Sequence, residues 1–153
     1  MAYLFSLATV LRVREIAVEQ EEQVLARILA EIARLGQAIE EAERELLDAA
    51  RAREQVFTAQ ALQAMHLHAS YATIQILRTR CEQMGKQLLA FEKLRLQQIA
   101  RYEDAYQKRE LLLCLRREQE EAWHKAQRKR EEKSIDDQFL ARRLRAQRLN
   151  PGN

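Results

Sequence analysis

Apolar residues recur every seven positions through the first third of the chain. A path that starts at Leu4 and steps alternately by three and four residues reaches Val56, and only Arg14, Glu21 and Arg53 on it are not apolar. Such a stripe stays on one side of a helix only when the helix wraps around a partner, so it predicts a left-handed coiled coil. This first repeat comprises Leu4, Leu7, Leu11, Arg14, Val18, Glu21, Leu25, Ile28, Ile32, Leu35, Ile39, Ala42, Leu46, Ala49, Arg53 and Val56.

A second repeat follows after a break in phase. It begins with Ile74, Leu77, Cys81, Met84, Leu88 and Phe91. Beyond Phe91 the same phase falls on polar residues, among them Arg95, Gln98 and Arg109, whereas Leu94 and Ile99 lie one position away. This blurring predicts a stutter after Phe91, where the underwinding of the coil is relaxed.

Two helical repeats separated by a phase break predict an all-α fold, a long antiparallel two-helix coiled coil or α-helical hairpin. We expect a single coiled-coil domain over residues 1–153, with helix 1 at about 4–57, a turn at about 58–66 and helix 2 at about 67–149. The turn is inferred from the interrupted phase alone, because this stretch contains no Gly or Pro. Residues that face each other across the hairpin should have numbers that add to about 124.

The same pairing rule leaves the end of helix 2 without a first-helix partner. Residues 121–149 should project as a single helix of about 43 Å. Residues 124–153 carry nine Lys and Arg against four Asp and Glu, and Ile135, Phe139 and Leu144 add a sparse apolar line. Such an end is either simply solvated or a docking element for an acidic surface, and the apolar residues favour docking.

Composition argues against an enzyme. Three Gly and one Pro in 153 residues leave little for the turns and loops of an active site. No phosphate-binding loop, nucleophile elbow or zinc motif is present, so no catalytic residue, cofactor or small-molecule substrate is expected. His66 and His68 point to opposite sides of a helix, which argues against a metal site.

Location and nucleic-acid binding follow from the remaining residues. Cys81 and Cys114 are 33 positions apart, about 50 Å along one helix, so we expect reduced thiols in a cytoplasmic protein. No apolar run reaches the ~18 residues of a membrane span, and the start does not resemble a secretion signal. Acidic residues interrupt the basic groups at 128–130 and 142–145, and no aromatic platform accompanies them, so specific nucleic-acid binding is not expected.

Both ends of the chain resemble one family of bacterial export proteins. The segment FSLATVLRVRE, from Phe5 to Glu15, resembles the opening of the FliJ family of flagellar type III export proteins. The stretch from Arg117 to Arg143 resembles that family's closing helix, in which an Ile or Leu precedes an acidic pair, here Ile135 and the two residues after it. The resemblance spans almost the whole chain.

The resemblance implies a non-catalytic stalk. Its paired termini would enter the pore of the hexameric flagellar export ATPase, promote the ring and link it to the cytoplasmic domain of the export gate. Some members also escort export chaperones. The protein would be cytoplasmic and peripherally associated with the inner-membrane export apparatus, touching the membrane only indirectly. The implied ring contacts are Phe5, Leu7, Arg14, Glu15, Arg128, Arg130, Asp136, Asp137 and Phe139. The implied gate contacts, on the outer side of early helix 2, are Thr73, Leu77, Arg80 and Met84.

Two other interpretations remain open from the sequence. The chain is similar in design to the injectisome stalk proteins. It also fits a generic coiled-coil scaffold or tether whose basic C-terminal helix docks on an acidic protein, a membrane surface or nucleic acid. A neighbouring gene for a flagellar ATPase would favour the flagellar stalk over a tether.

Overall fold

The computed structural model describes residues 2–58 and 64–149. Helix α1 spans Ala8–Thr58 and helix α2 spans Ala64–Leu149. The two helices pack against each other, and the described residues contain no strand. The predicted all-α helical hairpin is therefore confirmed.

The helix ends differ by a few residues from those expected. Helix α1 begins at Ala8, because a turn precedes it in which the Ala8 amide donates to the Phe5 carbonyl at 3.2 Å. Helix α2 begins at Ala64. Most of the turn predicted at residues 58–66 falls on residues 59–63, which lie outside the described part of the chain.

Burial along α1 follows the first repeat. Every repeat position from Leu7 to Ala49 is buried or half-buried, including the polar positions Arg14 and Glu21. The repeat positions outside this range are exposed: Leu4 keeps 89% of its surface in contact with solvent, and Arg53 and Val56 are also exposed. We call the set of buried repeat positions on both helices the seam.

Contacts divide the chain into two units, Ala17–Ala105 and the combination of Met1–Ile16 with Tyr106–Asn153. In the Ala17–Ala105 unit, the Tyr102 hydroxyl donates to Glu22 at 3.3 Å and Arg53 lies over the ring of Tyr71 at 5.9 Å. Both pairs have residue numbers that add to about 124, as predicted for antiparallel helices. The buried cluster of this unit contains Leu35, Ala42 and Met84, packed against Ala38, Ile39, Cys81, Leu88 and Phe91.

The stutter expected after Phe91 does not occur before Ala105, although farther along Leu115 is half-buried while the original-phase positions Arg116 and Gln119 are exposed. Buried or half-buried positions keep the original phase through Arg95, Gln98, Tyr102 and Ala105, while Leu94 remains 46% exposed. Polar residues can occupy these seam positions because they find partners there. The Gln98 amide donates to the backbone carbonyl of Glu21 at 3.1 Å and also to its carboxylate.

In the other unit, α2 loses its partner near its end. Gln127 is the last half-buried residue, and every residue from 128 to 149 is exposed. We call residues 128–149 the overhang. The overhang was expected to begin at 121, but Trp123 is half-buried because the segment before α1 reaches it, as described below.

Truncation of a seam leucine should destabilise the protein far more than truncation of an exposed one. Leu35 is 2% exposed and belongs to the buried cluster, whereas Leu47 on the same helix is 57% exposed. We expect Leu35→Ala to cost about 2–3 kcal/mol of unfolding free energy, and Leu47→Ala less than about 0.5 kcal/mol. Urea unfolding followed by circular dichroism measures both values. Equal losses would contradict the seam described here.

Candidate protein-interaction site

The N-terminal candidate residues divide between the seam and the surface. Leu7 and Arg14 are half-buried seam positions, whereas Glu15 is exposed. Phe5 is half-buried and, with Glu15, lines a surface depression of about 270 Å³ to which Arg116 of α2 also contributes. Phe5 and Glu15 thus border one concave surface, while Leu7 and Arg14 hold the helices together.

An aromatic contact attaches the segment before α1 to α2. The Tyr3 hydroxyl donates to Gln119 Oε1 at 3.1 Å, and the Tyr3 ring lies 6.2 Å from the ring of Trp123. The Trp123 ring also makes an edge contact with His124 at 5.0 Å. Sequence reasoning did not identify this contact. The available signal was that the numbers of Tyr3 and Trp123 add to nearly the sum expected for facing residues.

All five C-terminal candidates lie in the overhang and are exposed. These are Arg128, Arg130, Asp136, Asp137 and Phe139. The overhang carries eight Lys and Arg against four Asp and Glu, so its net charge is positive. Because no residue of α1 covers it, each of these side chains is free to meet another molecule.

Four of the large apolar residues of the overhang form two stripes. Ile135 and Phe139 are 65% and 64% exposed, and Leu140 and Leu144 are 54% and 59% exposed. Each pair is separated by four positions and so shares one side of the helix. With about 100° between successive residues, the two pairs lie about 140° apart around the axis. The single apolar line expected from Ile135, Phe139 and Leu144 is therefore wrong, because Leu144 lies opposite Ile135, and Leu140 was missed.

Early α2 presents a different surface from the one expected. Thr73 and Arg80 are exposed, and the Thr73 hydroxyl donates to the Ala69 carbonyl of its own helix at 3.0 Å. Leu77 and Met84 are each only 9% exposed and belong to the seam. They cannot form an outer contact while the helices stay paired.

An exposed isoleucine takes the place of the two seam residues on this surface. Ile76 is 69% exposed and borders, with Arg80, a shallow depression of about 340 Å³ that Thr79 and Gln83 also line. Ile76 lies between the seam residues Ile74 and Leu77 and is not itself a position of the second repeat, which was the signal for an outward apolar side chain.

Two kinds of site are absent from the described residues. Residues 2–58 and 64–149 contain no group of three or more His, Cys, Asp and Glu side chains arranged to hold a metal ion. Within the same residues, neither helix has an apolar stretch long enough to cross a membrane.

Comparison with protein families identifies a match for this chain. The family model described as flagellar FliJ protein matches residues 3–149 of the 153-residue chain. Neither the curated proteins nor the solved structures gave a match. The family model includes both the segment that carries Tyr3 and the whole overhang.

The fluorescence of Trp123 should report on the contact with Tyr3. Trp123 is the single tryptophan of the chain and is half-buried beside the Tyr3 ring. In Tyr3→Ala we expect its emission to shift to longer wavelength, because water replaces the aromatic neighbour. Tyr71→Ala, which removes a tyrosine of the Ala17–Ala105 unit, is the control and should leave the emission unchanged. An unshifted spectrum for Tyr3→Ala would show that the segment is not held at Trp123.

Proposed function

The chain belongs to the FliJ family, and we propose that it is the non-catalytic stalk of a flagellar protein export ATPase. Membership of the family implies a component of the flagellar export apparatus. In our proposal the overhang enters the central pore of the hexameric ATPase and promotes ring assembly and turnover. The protein also links the ring to the cytoplasmic domain of the export gate and escorts export chaperones. Its association with the membrane is then indirect, through the apparatus.

The two apolar stripes of the overhang are the observation that carries this proposal. A helix that docks on a membrane or in a groove needs apolar residues on one side only. The overhang instead exposes Ile135 and Phe139 on one side and Leu140 and Leu144 about 140° away. A partner that surrounds the helix buries both stripes at once, and a ring does this.

Charge supports the same partner. The basic residues of the overhang occur in two groups, at 128–133 and 142–148, on either side of the Asp136 and Asp137 pair. A pore lined by carboxylates would attract such a helix from a distance and orient it on entry. Because the overhang is exposed, this attraction is screened and weakens as salt rises.

The N-terminal candidates belong to the same unit as the overhang. That unit combines Met1–Ile16 with Tyr106–Asn153. Tyr3 packs on Trp123, five residues before the overhang begins, so the start of the chain is held close to the base of the proposed insert. Phe5 and Glu15 are then available at the rim of the ring. The seam residues Leu7 and Arg14 support them from behind.

For the gate contact we propose a surface centred on Arg80. Arg80 is exposed, its neighbour Ile76 adds an exposed apolar group, and Thr73 lies on the same helix nearby. Leu77 and Met84 act indirectly, because their burial in the seam positions this surface. A cation beside an apolar group fits an acidic, amphipathic segment of the gate.

Removal of either apolar stripe should weaken stimulation of the ATPase. One variant carries both Ile135→Ser and Phe139→Ser. A second variant carries both Leu140→Ser and Leu144→Ser. Each pair should lower the apparent affinity for the cognate export ATPase at least about tenfold, because each loses two buried apolar contacts. Steady-state ATP hydrolysis, titrated with stalk protein, gives the affinity.

The matched control is Leu89→Ser with Leu96→Ser, two leucines of α2 outside the overhang that are 67% and 62% exposed. This control should leave stimulation unchanged.

A chain that ends at Gln127 should keep the thermal midpoint of the hairpin, because the overhang contributes no seam burial. The same chain should lose stimulation altogether. Loss with only one of the two pairs would indicate a one-sided docking surface and contradict ring insertion.

Charge reversal at Arg80 should weaken binding to the gate without unfolding the protein. Arg80→Glu replaces an exposed cation, so we expect binding to the gate's cytoplasmic domain to fall several-fold and the fall to shrink as salt rises. Arg78→Glu, at an exposed neighbour on the same helix, is the matched control. Isothermal titration calorimetry measures binding, and circular dichroism measures stability. Equal effects of the two reversals would place the gate contact elsewhere.

A further inference from the structure

Gln98 is an unusual residue of the seam. It is only 3% exposed, and among the buried residues of the described chain it is the polar one, whereas the others are apolar. Its side-chain amide donates to both the backbone carbonyl and the carboxylate of Glu21 on the opposite helix. Each of these two residues therefore supplies a polar group that the other needs.

The apolar layers of the seam do not select one alignment of the helices. The buried positions of α1 include Val18, Leu35 and Ala42, and those of α2 include Ile74 and Met84. If α2 slid along α1 by one heptad, most of these layers would again place an apolar residue against an apolar residue. Such a slip is not opposed by packing alone.

The residues of the predicted turn do not select an alignment either. Residues 58–66 contain no Gly and no Pro. Their sequence therefore supplies neither a residue that favours a left-handed backbone nor one that stops a helix at a fixed position. The register has to be fixed by something else along the helices.

A slip in either direction separates Gln98 from Glu21. In one direction Gln98 moves opposite Ile28, and its amide loses the Glu21 carboxylate, which no side chain there replaces. In the other direction Glu21 moves opposite Phe91, and its carboxylate faces an aromatic ring. Each slip thus buries a polar group without its partner, which is costly because the group loses water and gains nothing in return.

We infer that the Gln98 and Glu21 pair determines the register of the hairpin. A polar pair at one seam layer reduces the free energy gained by burial in that layer. It also raises the free energy of every other alignment, because each of them separates the pair. The register in turn fixes how many residues of α2 remain unpaired, and one heptad changes this length by about 10 Å. That last consequence, a defined length of insert, rests on the proposed stalk function, whereas the register itself does not.

Distances between spin labels in the free protein test the inference. Labels are attached at Glu45→Cys and Lys93→Cys, both exposed, in a background with Cys81→Ala and Cys114→Ser. These two sites do not face each other but are offset along the helix axes by about two heptads. A slip of one heptad therefore changes the distance between them by nearly the full 10 Å. The unmodified seam should give one narrow distance distribution, and so should the control Gln97→Leu, which changes an exposed glutamine.

Gln98→Leu should lower the thermal midpoint, because it leaves the Glu21 carboxylate in the seam without its partner, and should add a second distance displaced by nearly 10 Å. A second variant, Glu21→Leu with Gln98→Leu, removes both polar groups and should show the same two distances. A single narrow distribution in both variants would overturn the inference. Because the measurement uses the chain without the ATPase, its outcome is separate from the outcome for the stalk.

Discussion

Burial of a single line of side chains between α1 and α2 is the interaction on which the rest of the molecule depends. Only seven apolar residues of the described chain are buried, so each of them supplies a large share of the stability. The ion pairs found on the helix surfaces do not replace this burial. Glu31 with Arg34, Glu40 with Arg44 and Glu92 with Arg95 each lie within one helix. They support the helix that contains them by a few tenths of a kcal/mol and do not join it to its partner.

Much of this seam could be predicted from the sequence, because a heptad repeat states directly which residues face the partner. The first repeat correctly predicted that each of its positions from Leu7 to Ala49 would face the partner helix, since all of them are buried or half-buried. It did so even at Arg14 and Glu21, where the residue type argued against burial. The antiparallel pairing of Glu22 with Tyr102 was also within reach, since it needs only the phase of two repeats and the place where the phase breaks.

Prediction failed where a single residue's environment depends on the other helix. In the sequence, Gln98 looked like a departure from the repeat. The sequence of α2 alone does not show that Glu21 of the other helix accepts hydrogen bonds from the Gln98 amide. The attachment of Tyr3 to Trp123 was missed for the same reason, as it joins two ends of the chain that share no local pattern. Leu77 and Met84 were given a surface role by resemblance although their own repeat placed them in the seam. For these two residues, periodicity was the better guide.

The same dependence on the seam accounts for the difference between the two surfaces that we propose for partners. Where α1 covers α2, the side chains left over for partners are isolated outward residues such as Arg80 and Ile76, and a partner can reach them from one side only. After Gln127, where α1 no longer covers α2, the whole circumference of α2 is exposed to solvent. Exposed apolar residues lie on two sides of the helix there. The end of the seam is thus the boundary between a surface suited to a partner that lies alongside and one suited to a partner that encloses it. If the Gln98 and Glu21 pair sets the register, as we infer, it also sets where the seam ends.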